Sequence, residues 1–344
     1  MWAHAVAQPN IALIKYWGKR DTERNLPAAG SLSVTLETLW TGMSIEFPAS
    51  AAGSTDISTE RSAEGLANTD RLVVNGRRDS AMLARVSTCL DRMLGNPRPP
   101  AAVHSESNFP IAAGLASSSS AFAALVVAAG RAADLSIDAP ALAGFAGAAS
   151  GSAARSIHEG IVELRVRDEG IDVRSIAAAS EWPLQVVIAI TDEGAKATAS
   201  GEAMIRSAAT SPFYQSWIER QEADLEAARD AVRDRDFEKL GAVSEYNCLK
   251  MHSVMWTSKP PIVYWNEATV NALEAIRELQ RTKLPVFFTI DAGPQVKAVC
   301  LPEASAAVSA ALSDTAGVRK VIVSGLGRGA RLLDEPPANS ADGA

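Results

Sequence analysis

Between Asn108 and Gly130 the chain reads NFPIAAGLASSSSAFAALVVAAG, and no other segment constrains the fold as tightly. From Ala121 onward the residues are small and apolar, the composition of a core helix. Ser117 to Ser120 crowd the start of that helix. Pro110 ends the preceding strand, and Gly114 permits a backbone shape closed to other residues. Free N–H groups at a helix start, with the helix dipole behind them, favour an anion such as phosphate. Serine hydroxyls there add donors, and one could ligate Mg²⁺. The same serines could instead cap a core helix. The spacing is no Walker A motif, because no Gly-Lys-Ser/Thr follows, and no dinucleotide fingerprint either. Cap or cradle stays open on these residues alone.

Three other stretches carry chemistry-bearing side chains. In NIALIKYWGKRD (Asn10 to Asp21), Lys15, Lys19 and Arg20 gather around Tyr16 and Trp17 at the end of an apolar run. Cations beside an aromatic hydroxyl suit a phosphate or carboxylate, or they mark a solvated strand end. In ASGSAARS (Ala149 to Ser156), Ser150 and Ser152 flank Arg155, whose fork matches a carboxylate, or the stretch is a loop with an incidental arginine. In FFTIDAGPQVK (Phe287 to Lys297), Asp291 follows an apolar strand and opens a tight turn. A desolvated acid suits general-base or electrostatic work, and an exposed one stabilises its own turn. Together the four stretches suit phosphoryl transfer from a nucleotide to a small anion.

Composition narrows the class. A net charge of −7 supplies no excess of cations for a nucleic acid or a membrane surface, but leaves room for a small anionic substrate. The 344 residues with 47% apolar content can bury a sizeable core. Cys89, Cys248 and Cys300 form no metal spacing or disulfide framework, which points to a reducing, cytoplasmic setting. No signal peptide or membrane-length apolar run is expected.

Patterning predicts one strand over residues 1–16, a β-rich region over 32–47, a solvated loop over 50–70 and an Asn75-Gly76 hairpin. It predicts helices over 80–94, 117–133 and 138–150, and one long helical stretch broken near Gly241. Strands are expected at Val103–Glu106, in GIVELRVRD and LQVVIAIT, and on either side of Asp291. The fold class is α+β in two lobes, 1–180 and 181–333, with a disordered tail over 334–344.

These motifs, in this order, resemble the mevalonate diphosphate decarboxylases, in the superfamily of galactokinase, homoserine kinase, mevalonate kinase and phosphomevalonate kinase. The resemblance rests on NIALIKYWGKRD, NFPIAAGLASS, SGSAARS, Met251-His252 with PPIVYW, and DAGPQVK. It implies a two-lobed kinase fold, a homodimer, and use of ATP with Mg²⁺ to convert 5-diphosphomevalonate into isopentenyl diphosphate, ADP, phosphate and CO₂. It implies catalytic roles for Asp291, Lys15 and Arg155. It implies substrate contacts from Asn10, Tyr16, Lys19, Ser150, Ser152 and Ser200. ATP phosphates would lie on Pro110, Ala113, Gly114, Leu115, Ala116, Ser117 and Ser118, with Ser118 also beside the metal. Departures from the family pattern are Ala28-Ala29-Gly30 before Ser31, Ile111 in the phosphate loop, His158-Glu159, and Gly201 after Ser200. The Ala29-Gly30 pair and Gly201 also suit a relative that acts on 5-phosphomevalonate, or a 3-kinase that stops before decarboxylation.

Overall fold

Gln8 and Pro9 split the apolar N-terminal segment in two, because proline has no N–H to donate to a ladder. The expected single strand over 1–16 is therefore two strands, β1 (Trp2–Ala7) and β2 (Asn10–Ile14), in different sheets. The computed structural model describes residues 1–48, 69–109, 115–194 and 196–335. Most of the loop expected over 50–70, the residues Pro110, Ile111, Ala113 and Gly114, and the tail from 336 lie outside the described residues.

The chain continues through a short ribbon of β3 (Lys19–Asp21) and β4 (Leu26–Pro27), then β5 (Ser31–Thr35) and β6 (Thr41–Glu46). The Asn75-Gly76 turn joins β7 (Arg71–Val74) to β8 (Arg77–Arg78) as expected, with positive φ at both turn residues. Next come α1 (Ser80–Leu94), β9 (Ala102–Ser107), α2 (Ser117–Ala132), α3 (Ala139–Ala149) and a 3₁₀ turn, Ala153–Ile157. The hairpin β10 (Ile161–Arg167) and β11 (Gly170–Ala177) precedes β12 (Gln185–Ile190) and the helices α4 (Ser200–Thr210), α5 (Tyr214–Asp234), α6 (Phe237–Trp256) and α7 (Glu267–Arg281). The chain closes with β13 (Val286–Ile290), β14 (Val296–Cys300), α8 (Ser305–Ser313), β15 (Lys320–Gly325) and β16 (Arg331–Leu333).

Three larger sheets organise the described residues. One has the order β16-β1-β6-β9-β7-β8, and its core also contains the buried alanines of α2 with residues of α1 and α3. A second has the order β11-β10-β5-β2. The third, β13-β14-β12-β15, shares a core with α6, α7 and α8. The mixture is the expected α+β class.

The break expected near Gly241 falls elsewhere. Arg235 adopts a left-handed φ of 53° and closes α5, and the Asp236 carboxylate accepts the Lys239 N–H at 2.9 Å to open α6. Gly241 lies inside α6, and a Cβ there would approach Phe287 to 3.0 Å, so the glycine serves helix-on-strand packing. The pattern reading also did not name α4, α7 or β11, whose polar faces hide their buried residues.

Candidate active site

Four helices are capped conventionally. Asp79, Asp138 and Asp236 accept first-turn N–H groups of α1, α3 and α6, and Asn266 forms a capping box with Thr269 on α7. At α2 no side chain caps the helix, and Ala116 stands at its N-cap with φ 56°. The serine run therefore does not cap it. Ser119 and Ser120 are buried and turn back to the Ala116 and Ser117 carbonyls, with Thr41 also bonded to Ser120. Ser118 meets Ser150, the C-cap of α3, at 3.1 Å between hydroxyl oxygens. Leu115 is buried in the core, whereas Ala116 and Ser118 line a cleft of 760 Å³.

That cleft also receives Lys15, Tyr16 and Lys19 from the β2–β3 segment, Ser150, Ser152 and Arg155, Ser200 at the start of α4, and Asp291 after β13. Side chains separated by up to 276 positions thus share one cavity. Among its described lining residues, Lys15, Lys19, Arg85, Arg92, Arg155 and Lys196 stand against only Glu23 and Asp291. A protein of net charge −7 has gathered a cationic cleft, which attracts and focuses small anions.

At its floor the Asp291 carboxylate lies between two ammonium groups. Lys15 Nζ donates to Oδ1 at 2.7 Å, and Lys297 Nζ stands 3.4 Å from Oδ2. Lys15 also donates to the Ala12 carbonyl at 2.8 Å. Burial alone would raise the Asp291 pKa, but the two lysines overcome it and hold the carboxyl well below the usual range. Lys297 is fully buried on β14, and burial lowers its own pKa against the opposing pull of Asp291.

Arg155 is almost fully buried. Its Nε donates to Ser33 at 3.0 Å and to Asn10 Oδ1 at 3.3 Å, and its Nη1 donates to Ser31 at 2.5 Å. Asn10 completes the mount by donating to the Ser152 carbonyl and the Ser156 hydroxyl. Burial pulls the guanidinium pKa down to about 10, so it remains charged at neutral pH. Ser31, adjoining the Ala-Ala-Gly departure, therefore retains a polar role.

The Tyr16 hydroxyl is buried and has no hydrogen-bond partner among the described residues, and burial pushes its pKa up to about 12. Gly151 leaves it room, since a Cβ there would come within 2.4 Å of the phenol oxygen. A buried hydroxyl without a partner on the cleft wall is a donor left for a ligand. Ser200 accepts from Lys196 Nζ at 3.3 Å, at the start of a helix with no side-chain cap. A Cβ on Gly201 would stand 3.9 Å from Lys19 Nζ, so α4 begins beside a second cation.

Sequence reasoning missed Lys297, Arg85, Arg92 and Lys196. Lys297 was inside a quoted motif, and the hairpin register that pairs it with Thr289 brings it alongside Asp291. Arg85 and Arg92 are seven residues apart on α1, two turns on one face, and donate to the Ala149 and Ala148 carbonyls at the end of α3. Lys196 gave no signal.

A cradle of uncapped helix starts, serine hydroxyls and cations fits nucleotide phosphates. No group of three His, Cys, Asp or Glu able to hold a metal occurs among the described residues, so a Mg²⁺ here fits the manner in which that ion keeps phosphate oxygens as ligands.

Comparison with known proteins agrees. Residues 7–177 match the Diphosphomevalonate decarboxylase-like N-terminal domain, and residues 186–332 match the Mevalonate 5-diphosphate decarboxylase C-terminal domain. The chain is 33% identical to a diphosphomevalonate decarboxylase of Candida albicans, covering 86% of this chain and 83% of the relative. It is 30% identical to a human diphosphomevalonate decarboxylase, over 97% and 94% of the two chains. Mevalonate diphosphate decarboxylase from Staphylococcus aureus superposes with a TM-score of 0.86 at 30% identity, over 97% of this chain and 98% of that one. The enzyme from Enterococcus faecalis superposes at 0.83 with 31% identity, over 97% and 99%. A complex described as MDDEF with MVAPP, AMPPCP and magnesium superposes at 0.85 with 32% identity, again over 97% and 99%. With its fold, its cleft chemistry and both halves of its length in agreement, this chain belongs to the diphosphomevalonate decarboxylase family.

Proposed function

We propose that this protein is an ATP-dependent diphosphomevalonate decarboxylase. It converts 5-diphosphomevalonate, with ATP and Mg²⁺, into isopentenyl diphosphate, ADP, phosphate and CO₂. The observation that carries the reading is the convergence of Lys15, Asp291 and Arg155 on one cationic cleft beside the uncapped start of α2.

The substrate's tertiary 3-hydroxyl is a poor leaving group, and phosphorylation by ATP converts it into one. Asp291, held ionised by Lys15 and Lys297, accepts a hydrogen bond from that hydroxyl and orients it. When phosphate leaves, positive character develops at C3, and the same carboxylate stabilises it. Arg155 has Nε and Nη1 bound to protein, and Nη2 is the donor for the substrate carboxylate. Held there, the carboxylate aligns its C–C bond with the departing phosphate, and loss of CO₂ quenches the charge. Ser117 and Ser118 with the first N–H groups of α2 would hold the ATP phosphates, and Ser118 would supply an oxygen to Mg²⁺. A 350 Å³ cavity lined by Met43, Leu72, Val74 and Met82, with Ser105 and Ser107 at its edge and Ser117 and Ser118 adjoining, suits the adenine.

Tyr16, Lys19, Ser150, Ser152, Ser200 and the start of α4 surround the substrate's anionic tail. The relatives named for the diphosphate favour that substrate over the monophosphate. The lobes divide near residue 180, the phosphate loop in the first and Asp291 in the second. The protein acts in the cytoplasm as a homodimer. Three free, buried cysteines support the compartment, and no helix of the described residues is long and apolar enough to cross a membrane.

Purified protein incubated with ATP and each mevalonate phosphate tests the reading. ADP and CO₂ in equal amounts from the diphosphate are expected. Turnover of the monophosphate alone, or ADP without CO₂, overturns it.

A further inference from the structure

Lys15 presents a problem of support. It follows β2, an edge strand of its sheet, and the ladder with β5 ends at the Ile14–Leu32 pair after an irregularity between Ala12 and Ile14. The residue whose ammonium grips Asp291 is therefore outside regular strand pairing, and its peptide groups are buried. A buried N–H or C=O without a partner is costly, and one free to move would carry the ammonium with it.

Two carboxamides take the place of the absent strand. Asn247 Oδ1, from α6, accepts the Lys15 N–H at 2.8 Å. Gln221 Nε2, from α5, donates to the Lys15 carbonyl at 2.8 Å. The carboxamides are joined to each other, Asn247 Nδ2 to Gln221 Oε1, at 2.6 Å. Asn247 is fully buried and Gln221 1% exposed. In an antiparallel ladder every second residue exchanges both of its peptide hydrogen bonds with one partner residue. Here the two linked amides reproduce that double bond with side chains. Behind them Asp224 accepts a second bond from Asn247 Nδ2 and pairs with Lys250, so each amide's orientation is determined. Pairing of this kind is directional, and apolar packing of equal volume would not supply it.

We propose that Asn247 and Gln221 are positioning residues of the reaction, a clamp that holds the Lys15 backbone so that its ammonium stays on Asp291 and on the Ala12 carbonyl. Neither need touch substrate. The inference rests on the roles given above to Lys15 and Asp291.

Gln221→Met keeps the volume and removes both the donor to Lys15 and the link to Asn247. Displacement of a reacting group by about 1 Å can cost on the order of 100-fold in rate. The kcat with ATP and 5-diphosphomevalonate is therefore expected to fall by roughly 10- to 100-fold, while the KM for ATP stays within about twofold. Asp236→Ala, which removes the cap of α6, the helix that carries Asn247, without touching Lys15, is measured alongside it. It should lower Tm and leave kcat unchanged. If Gln221→Met keeps kcat within about twofold, or if both variants lose kcat in proportion to lost stability, the clamp is wrong. Should Gln221→Met fail to fold, Asn247→Ser is judged by the same criteria. Lys15→Met separates the two readings. If it retains wild-type kcat, the proposed active site itself has failed. If it loses kcat while the clamp variant does not, only the clamp has failed.

Discussion

Asp291 shows how one side chain is set by its neighbours. Its position after a buried strand hinted at a desolvated acid, but burial alone would have left it protonated more readily, not less. The two lysines reverse the sign. Asp291→Asn keeps the shape and removes the charge, so kcat should fall by at least about 1,000-fold, roughly 4 kcal/mol of barrier, while nucleotide binding by calorimetry persists. A variant retaining a tenth of the wild-type rate would remove Asp291 from the chemistry. Arg155→Lys tests geometry at constant charge. A lysine cannot span Ser31, Ser33 and Asn10 and still offer a second donor, so kcat/KM for the substrate should fall about 100-fold with the ATP KM little changed. An unchanged kcat/KM would mean that charge alone suffices. At this scale much was legible: Lys15 and Asp291 stand out because a cation or an acid adjoins an apolar run, and Arg155 because Ser150 and Ser152 flank it. Lys297 was harder to see, since its meaning depends on hairpin register.

Among the elements, the two helix starts that meet the cleft, those of α2 and α4, carry no side-chain cap, whereas α1, α3, α6 and α7 are capped by Asp or Asn. Asp236→Ala should cost about 1 kcal/mol, read as a lower urea midpoint. Gly241→Val should cost more, about 1–3 kcal/mol, because its Cβ already meets Phe287 at 3.0 Å and the added methyls overpack the α6–β13 contact. An unchanged midpoint in that variant would show that the helix can shift away from the strand. The sequence suggested this glycine as a helix break because glycine has low helix propensity. It could not show that a strand from 46 positions later lies against it. The division of residues 1–16 by Pro9 is the converse case. There the local chemistry was visible, but the assignment of β1 and β2 to separate sheets depends on β5 and β6.

For the whole molecule, three of the four histidines have pKa values pushed down by burial, His252 to about 3, with His4 and His158 shifted the same way. The unfolded chain binds their protons below about pH 6.5 and the folded chain does not. Stability should therefore begin to fall as the pH drops through 6.5, by up to about 1.4 kcal/mol per pH unit for each fully titrating group. Carboxylates add to this at lower pH. Asp70, whose burial is outweighed by bonds from Arg98, Ser87 and Ala101, is lowered to about 2, and Glu163 and Asp291 are lowered too. Their contribution is complete above about pH 5 and is lost as pH falls from there through their folded values. Urea titrations from pH 7 to 3 should show both stages, and His252→Phe should flatten the first; a stability independent of pH between 7 and 5 would contradict the burial argument. What the sequence determined by itself was local: the α+β alternation, the buried serine-headed helix, and the chemical types gathered in each motif, because these follow from periodicity and from neighbours along the chain. Only the tertiary structure decided that the serines do not cap α2, that six cations share a cleft in an acidic protein, and that two helix amides complete the peptide bonding of Lys15. The first depends on the left-handed turn at Ala116, and the others on distances between residues hundreds of positions apart, which no local pattern encodes.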